Sequence, residues 1–235
     1  MSYDICGLLR KNPYPGRGIT IGHSEDCSSS VMLYFIMGRS PNSRNRVFEK
    51  TDDGIRTKAF EPDKLTDPSL VIYHPVRVWN DHIIVTNGMQ TDTILEYIKN
   101  GGDYRSALYE WEYEPDPPIN TARISGIIEP GGSFSLSILK ASEGEALCCC
   151  RFFFDYSKPL PGIGRFISTY ETDGNPPPPF IGEPVPVAIN LAGGLDGFAS
   201  SVWESLNFDN KVSLYARETV IATRETREVI FNKNV

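Results

Sequence analysis

The sequence predicts an α+β protein, and three observations carry that reading. Short apolar or alternating runs, punctuated by turn residues, recur along most of the chain as strands do. Two stretches, Asp92–Trp111 and Asp196–Leu206, place apolar residues at helical spacing instead. The strands and helices come in blocks, without the strand–helix alternation of a doubly wound parallel sheet.

The elements follow in order. Tyr3–Leu9 is short and apolar and is assigned as a strand, as is Gly18–Gly22, where Ile19 and Ile21 alternate with other residues. Val31–Met37 is a continuous apolar run, the pattern of a strand covered on both faces. Leu70–Trp79 and His82–Thr86 are the next strands, and Asn87-Gly88 is a turn. Within Asp92–Trp111, Ile94, Leu95 and Ile98 are separated from Tyr104, Leu108 and Trp111 by Asn100-Gly101-Gly102. Two helices are predicted, the second N-capped by Asp103. Ala122–Ile128, Ser133–Lys140, Ala146–Phe154 and Phe166–Tyr170 are strands. Asp173–Pro186 is a proline-rich loop, barred from any central strand because proline lacks the ladder N–H. Phe198, Ala199, Val202, Trp203 and Leu206 define a helix that stops before Asn207. Val212–Thr219 and Glu228–Phe231 are the last strands. With no internal repeat and no clear linker, residues 1–235 read as a single domain.

Composition narrows the function classes. A net charge of -7 and a pI near 5.1 argue against a nucleic-acid polymer as partner, which would need a basic face. The longest clean apolar run has seven residues, against about twenty needed to span a bilayer. A soluble, unexported, cytoplasmic protein is expected, with no membrane partner. The five cysteines are odd in number, which argues against a disulfide framework. Cys148–Cys150 alternate faces in a strand and so cannot converge on one metal. The three histidines are scattered, so no metal and no cofactor are expected.

Local positive charge stands out against this acidic background. Gly38–Phe48, GRSPNSRNRVF, holds Arg39, Arg44 and Arg46 just after an apolar run. Arginine forks match phosphate and carboxylate oxygens, so the cluster is either an anion site or a solvated loop balancing Glu49, Asp52 and Asp53. Arg17 projects from the turn Asn12–Ile19, stiffened by Pro13 and Pro15. The junction from Asn87-Gly88 into Thr91-Asp92-Thr93 is either a helix start that attracts phosphate or an ordinary capped turn. Tyr113–Ile124, YEPDPPINTARI, presents Glu114, Asp116, Asn120, Thr121 and Arg123 on a stiff connection. Those residues are either a proton acceptor with oriented donors or plain surface polarity.

Taken together, GRGITIG, GRSPNSRNRVF, VIYHPVRV, VTNGMQTDTI, YEPDPPINTARI and ISTYE resemble, in order, the archaeal-type IMP cyclohydrolase family. They cover most of residues 15–171, and the TNG-x-x-TDTI and E-x-D-x-x-x-NT-x-RI blocks are the most specific. The arginine loop reads RSPNSRNR rather than SRSFPNR, and NTARI stands where NTPRI is usual. The resemblance implies a four-layer αββα sandwich like that of N-terminal-nucleophile hydrolases, without a processed nucleophile. It implies closure of 5-formamidoimidazole-4-carboxamide ribonucleotide to IMP with loss of water, and hence a small purine ribonucleotide as partner. Alternatives on the same scaffold are another amide hydrolase or cyclase acting on a nucleotide, and a non-catalytic purine-nucleotide-binding protein. Oligomeric state stays open, a homo-oligomer included. The implied catalytic residues are Tyr73, Glu114 and Arg123. The implied substrate-binding residues are Arg17, Arg39, Asn42, Arg44, Arg46, Arg77, Asn87, Gly88, Asn120 and Tyr170. Tyr73 and Arg77 are expected on one face of a regular strand, and Arg77 to brace the phosphate or Glu114.

Overall fold

The computed structural model describes residues 2–142 and 145–235, without the side chains of 145–147. The chain is α+β, as predicted. Helix α1 (Ile5–Lys11) replaces the first expected strand, because Asp4 caps it by accepting from the amides of Cys6 and Gly7. Strands β1 (Arg17–His23) and β2 (Ser29–Met37) follow. The arginine loop then forms a single helical turn, α2 (Pro41–Arg44), closed by a reciprocal Ser40–Ser43 capping box. Strands β3 (Arg46–Thr51) and β4 (Gly54–Ala59) were not anticipated, since charged residues interrupt their apolar alternation. The strand expected over Leu70–Trp79 shrinks to β5 (Val76–Trp79), because Pro75 precedes it.

Strand β6 (His82–Thr86) leads into α3 (Gln90–Lys99) and α4 (Tyr104–Leu108), the latter capped by Asp103 as predicted. Strands β7 (Arg123–Ile128), β8 (Phe134–Ser142), β9 (Glu145–Tyr156) and β10 (Ile163–Ser168) come next. Strand β11 (Val185–Ala188) emerges from the end of the proline-rich loop. It contains Pro186 and is tolerated because it lies at a sheet edge. Helix α5 (Gly194–Ser205) and strands β12 (Lys211–Val220) and β13 (Thr226–Asn232) complete the chain.

Among the described residues the strands form two antiparallel sheets. One has the order β11-β10-β1-β2-β12-β13, the other β3-β4-β5-β6-β7-β8-β9. Strand alternation divides the apolar residues into three cores. Ile19, Ile21, Met32, Tyr34 and Ile36 of the first sheet meet Phe48, Val76, Val85, Ile124 and Leu136 of the second. The opposite faces of β1's neighbours, through Leu33 and Phe35, pack under α1 and α5 with Ile5, Leu9, Phe198 and Val202. Ile84, Ile127 and Leu139 pack under α3 and α4 with Ile94, Leu95 and Leu108. Continuous burial of β2 thus follows from its having a core on each face.

At one margin the two sheets are joined by a side chain that imitates a strand. Asn232 accepts from the amide of Phe48 at 2.8 Å, donates to its carbonyl at 3.1 Å and accepts from Ser213 Oγ at 2.7 Å. Asn232→Ala leaves both backbone groups of Phe48 without that partner. The expected loss is about 1–3 kcal/mol of unfolding free energy in a denaturant titration. A loss under about 0.5 kcal/mol would show that the bridge contributes nothing.

Candidate active site

The polar centre lies where the starts of β1, β3 and β7 meet the loops that precede β5 and β7. Arg17 opens β1 on the same strand face as Ile19 and Ile21, so it points toward the second sheet. Arg46 opens β3 two residues before Phe48, which belongs to the inter-sheet core. It is fully buried, donating from Nε to the Ser43 carbonyl at 2.8 Å and from Nη2 to the Met37 carbonyl at 3.5 Å. Its Nη1 has no protein partner among the described residues, and neither do Nε of Arg17 and Nε of Arg123. Three buried guanidiniums therefore each keep donor capacity in hand.

Glu114 is 1% exposed and faces them. Its backbone amide donates to the Thr121 carbonyl at 2.8 Å, closing the loop on which it sits. Arg17 Nη2 lies 3.8 Å from Oε2, and Asn87 Nδ2 donates to Oε1 at 3.4 Å. Asn87 is itself held by the Ala122 carbonyl, the Ile124 amide and Gln90 Nε2. Because its oxygen accepts from two donors, its NH2 group must turn toward Glu114. Tyr73 and Tyr34 share a buried hydroxyl–hydroxyl hydrogen bond of 2.8 Å. Tyr170 bonds Thr121 Oγ1 at 2.8 Å and stacks on Tyr14.

Burial and charge pull in opposite directions here. Burial raises the Glu114 carboxyl above its ordinary 4.5, and the cations Arg17, Arg123 and Arg46 offset this only in part. Burial works to lower Arg17 too, but Glu114 and the surrounding tyrosines more than reverse it, so Arg17 stays charged. At 3.8 Å the pair makes no short charge-assisted bond, so burial prevails at Glu114 and its carboxyl stays raised. Burial lowers Arg46 and Arg123, and pushes the Tyr170 phenol up to about 12.

The remaining residues singled out in the sequence lie apart from this centre. Arg44 is spent on the Gly38 carbonyl and Asn210 Oδ1, and Asn42 on backbone groups of Thr66 and Asp67. Arg39 ties Asp173 and the Gly174 carbonyl of the proline-rich loop while lying over the Tyr14 ring. Tyr73 and Arg77 do not share a strand face, because β5 begins only at Val76. Arg77 pairs instead with Asp53 and Asp92. Asn120 is half-buried in a left-handed turn (φ 49°). Glu171, at the end of the ISTYE block, accepts from the amide of Ile181 in the proline-rich loop.

Arg123 lies beside α3, its guanidinium over Trp111 and its Nη1 donating to Gln90 Oε1 at 3.0 Å. A side chain on Gly88 would place Cβ 2.5 Å from that nitrogen and 2.7 Å from Gln90 Oε1, so it would push the ends of both side chains aside. Sequence reading missed Tyr34, Gln90 and Trp111. Tyr34 sits inside an apolar run that reads as core, and only the fold brings its hydroxyl to Tyr73. A cavity of about 690 Å³ between α1 and α5 contains none of these charges, so buried polarity rather than volume locates the site. No helix among the described residues is long and apolar enough to cross a membrane.

The fold and site define an α+β protein with a buried carboxylate set among arginines and tyrosines between two sheets. A family model described as IMP cyclohydrolase-like protein matches residues 14–223, and the chain belongs to that family. It is 32% identical over 163 residues to the IMP cyclohydrolase of Methanosphaera stadtmanae, covering 67% of this chain and 74% of that protein. It is 29% identical over 161 residues to the IMP cyclohydrolase of Methanopyrus kandleri, covering 67% and 75%.

The raised Glu114 carboxyl has a consequence for stability. Since its folded value exceeds the unfolded one, the folded state is favoured with Glu114 protonated, and that advantage is lost as pH rises through the folded value. Glu114→Gln removes the titration. The melting temperature of the variant minus that of the wild type is therefore expected to become more positive from below pH 4.5 to neutrality. A flat or falling difference would contradict the raised value.

Proposed function

We propose that residues 1–235 act as one IMP cyclohydrolase domain that closes 5-formamidoimidazole-4-carboxamide ribonucleotide to IMP and releases water. The observation that carries this reading is a buried carboxylate with a raised proton affinity, facing guanidiniums with unused donors, in a chain of this family. The three cores, with helices over the outer face of each sheet, support a four-layer αββα sandwich of the N-terminal-nucleophile hydrolase type. A processed nucleophile has no part in it, because both reacting groups belong to the substrate. We read it as a cytoplasmic enzyme whose chemistry calls for neither metal nor cofactor.

The reaction is an intramolecular attack, so much of the barrier is met by holding one conformer. The carboxamide nitrogen attacks the formyl carbon. One of its protons passes to Glu114 while Tyr73 protonates the formyl oxygen, giving a carbinolamine. Tyr34, bonded to Tyr73, and Arg46, with Nη1 in reserve, stabilise the charge that develops on oxygen. Glu114 then returns its proton to the departing hydroxyl, which leaves as water. The formamido N–H proton is given up to the tyrosine pair as the ring C=N bond forms. Asn87 keeps the Glu114 carboxylate oriented throughout.

Purified protein mixed with the formylated ribonucleotide is expected to raise IMP absorbance faster than the spontaneous reaction. Absence of any acceleration would overturn the proposal. In Glu114→Gln, kcat should fall by roughly 10²–10⁴ with little change in KM, as for loss of a general base. An unchanged kcat would remove Glu114 from that role.

A further inference from the structure

We infer that Asp116 is a positioning residue for the Glu114 base, clamping the loop that carries it and setting a second negative charge behind it. This inference rests on the reading of the protein as a cyclohydrolase in which Glu114 is the base.

Glu114 opens a tight loop, and Asp116 holds that loop closed. The Glu114 amide donates to the Thr121 carbonyl at 2.8 Å, and the Asp116 amide donates to the Glu114 carbonyl at 2.9 Å. The Asp116 carboxylate reaches across the loop with both oxygens. Oδ1 accepts from the Thr121 amide at 2.7 Å, and Oδ2 accepts from Thr121 Oγ1 at 2.5 Å. The Asp116 carbonyl accepts from the amides of Ile119 and Asn120 at 3.0 and 3.3 Å. Asp116 is half-buried, whereas Glu114 and Thr121 are each 1% exposed. Fixing Thr121 therefore fixes the backbone from which Glu114 projects into the site.

A neutral residue could not do the same. An ionised carboxylate only accepts, so Thr121 spends its hydroxyl proton on Asp116. Tyr170, 2.8 Å from that hydroxyl, must then donate to it. Asp116 thus sets the direction of the chain that runs from Tyr170 through Thr121. An asparagine could accept from the Thr121 amide, but its NH2 group would meet the hydroxyl as a second donor and reverse the chain.

The charge matters as well as the clamp. Burial is the largest influence on the Glu114 carboxyl and raises it. Arg17 from β1, Arg123 from β7 and Arg46 from β3 favour the ionised form, and Asp116 from its own loop opposes it. The phenols of Tyr73 and Tyr170 also act on Arg17, and burial pushes Tyr170 up to about 12. Asp116 therefore offsets part of the pull of three cations and keeps Glu114 the stronger base.

The pH dependence of kcat/KM with the formylated ribonucleotide tests this. Asp116→Asn keeps the shape and removes the charge, so its acidic limb should lie at lower pH than that of the wild type. Its kcat at neutral pH should fall by roughly tenfold or more with little change in KM, because the base is weaker and its loop looser. Asp116→Glu restores the charge, and its limb should return toward the wild-type position. Asp116→Ser, also uncharged, takes the place of Asp116→Asn if that variant fails to fold. A limb that stays in place or moves to higher pH in the uncharged variant would overturn the inference, even with a lower melting temperature, since a purely structural clamp changes stability and not the limb. In that case turnover by the wild type leaves the cyclohydrolase reading intact. If wild-type protein does not accelerate ring closure, that reading fails, and this inference with it.

Discussion

A carboxylate cannot be buried alone. Glu114 is sealed at one end of the inter-sheet core, where an isolated charge would cost several kcal/mol or would take up a proton. Much of the surrounding architecture answers that constraint. Arg17 comes from the start of one sheet, Arg46 and Arg123 from the start of strands in the other, and Asn87 from the end of β6. None of these neighbours reaches the carboxylate with a short ionic bond. Compensation is therefore incomplete, which leaves Glu114 with a raised proton affinity rather than a depressed one. Incomplete pairing is what a base needs if it must take a proton and give it back.

The arginine loop shows how a fold sorts chemically identical side chains. Arg39, Arg44 and Arg46 lie within eight residues. The Ser40–Ser43 capping box winds the chain through one helical turn, and the three guanidiniums leave it in different directions. Arg44 fastens the loop to the turn at Asn210, Arg39 fastens the proline-rich loop beside Tyr14, and Arg46 enters the core. Arg39 also links this loop to the aromatic stack of Tyr14 on Tyr170, whose hydroxyl reaches Thr121 in the Glu114 loop. Two of the three arginines thus hold the walls that keep the third in place.

Much of the fold was legible in the sequence, and the failures have physical causes. The run Val31–Met37 declared its two-sided burial because both faces of β2 are core. Tyr3–Leu9 misled because seven residues cannot separate a short helix from a strand by apolar content, while the capping role of Asp4 settles the matter in three dimensions. Strands β3 and β4 were hidden because their solvent faces carry Glu49, Arg56 and Lys58, which pair across the hairpin and mask the apolar period. At the site, the Glu114 and Arg46 segments could be found from motif order. Which arginine is buried could not, since burial of Arg46 depends on the opposite sheet closing over it. The Tyr34–Tyr73 pair and the Gln90 bridge join residues 39 and 33 positions apart, and no local pattern encodes them.

The central claim is that Glu114 works as a base whose proton affinity is set by burial against nearby arginine charge. The pH dependence of kcat/KM in wild type and in Arg17→Met tests it most directly. Arg17 lowers the Glu114 value, so removing its charge should raise that value further, and the base must be ionised to act. The acidic limb of the wild-type profile is expected above the ordinary carboxylate value of 4.5, and the limb of the variant at still higher pH. A wild-type limb at or below that value, or a variant limb that stays in place or moves to lower pH, would contradict it.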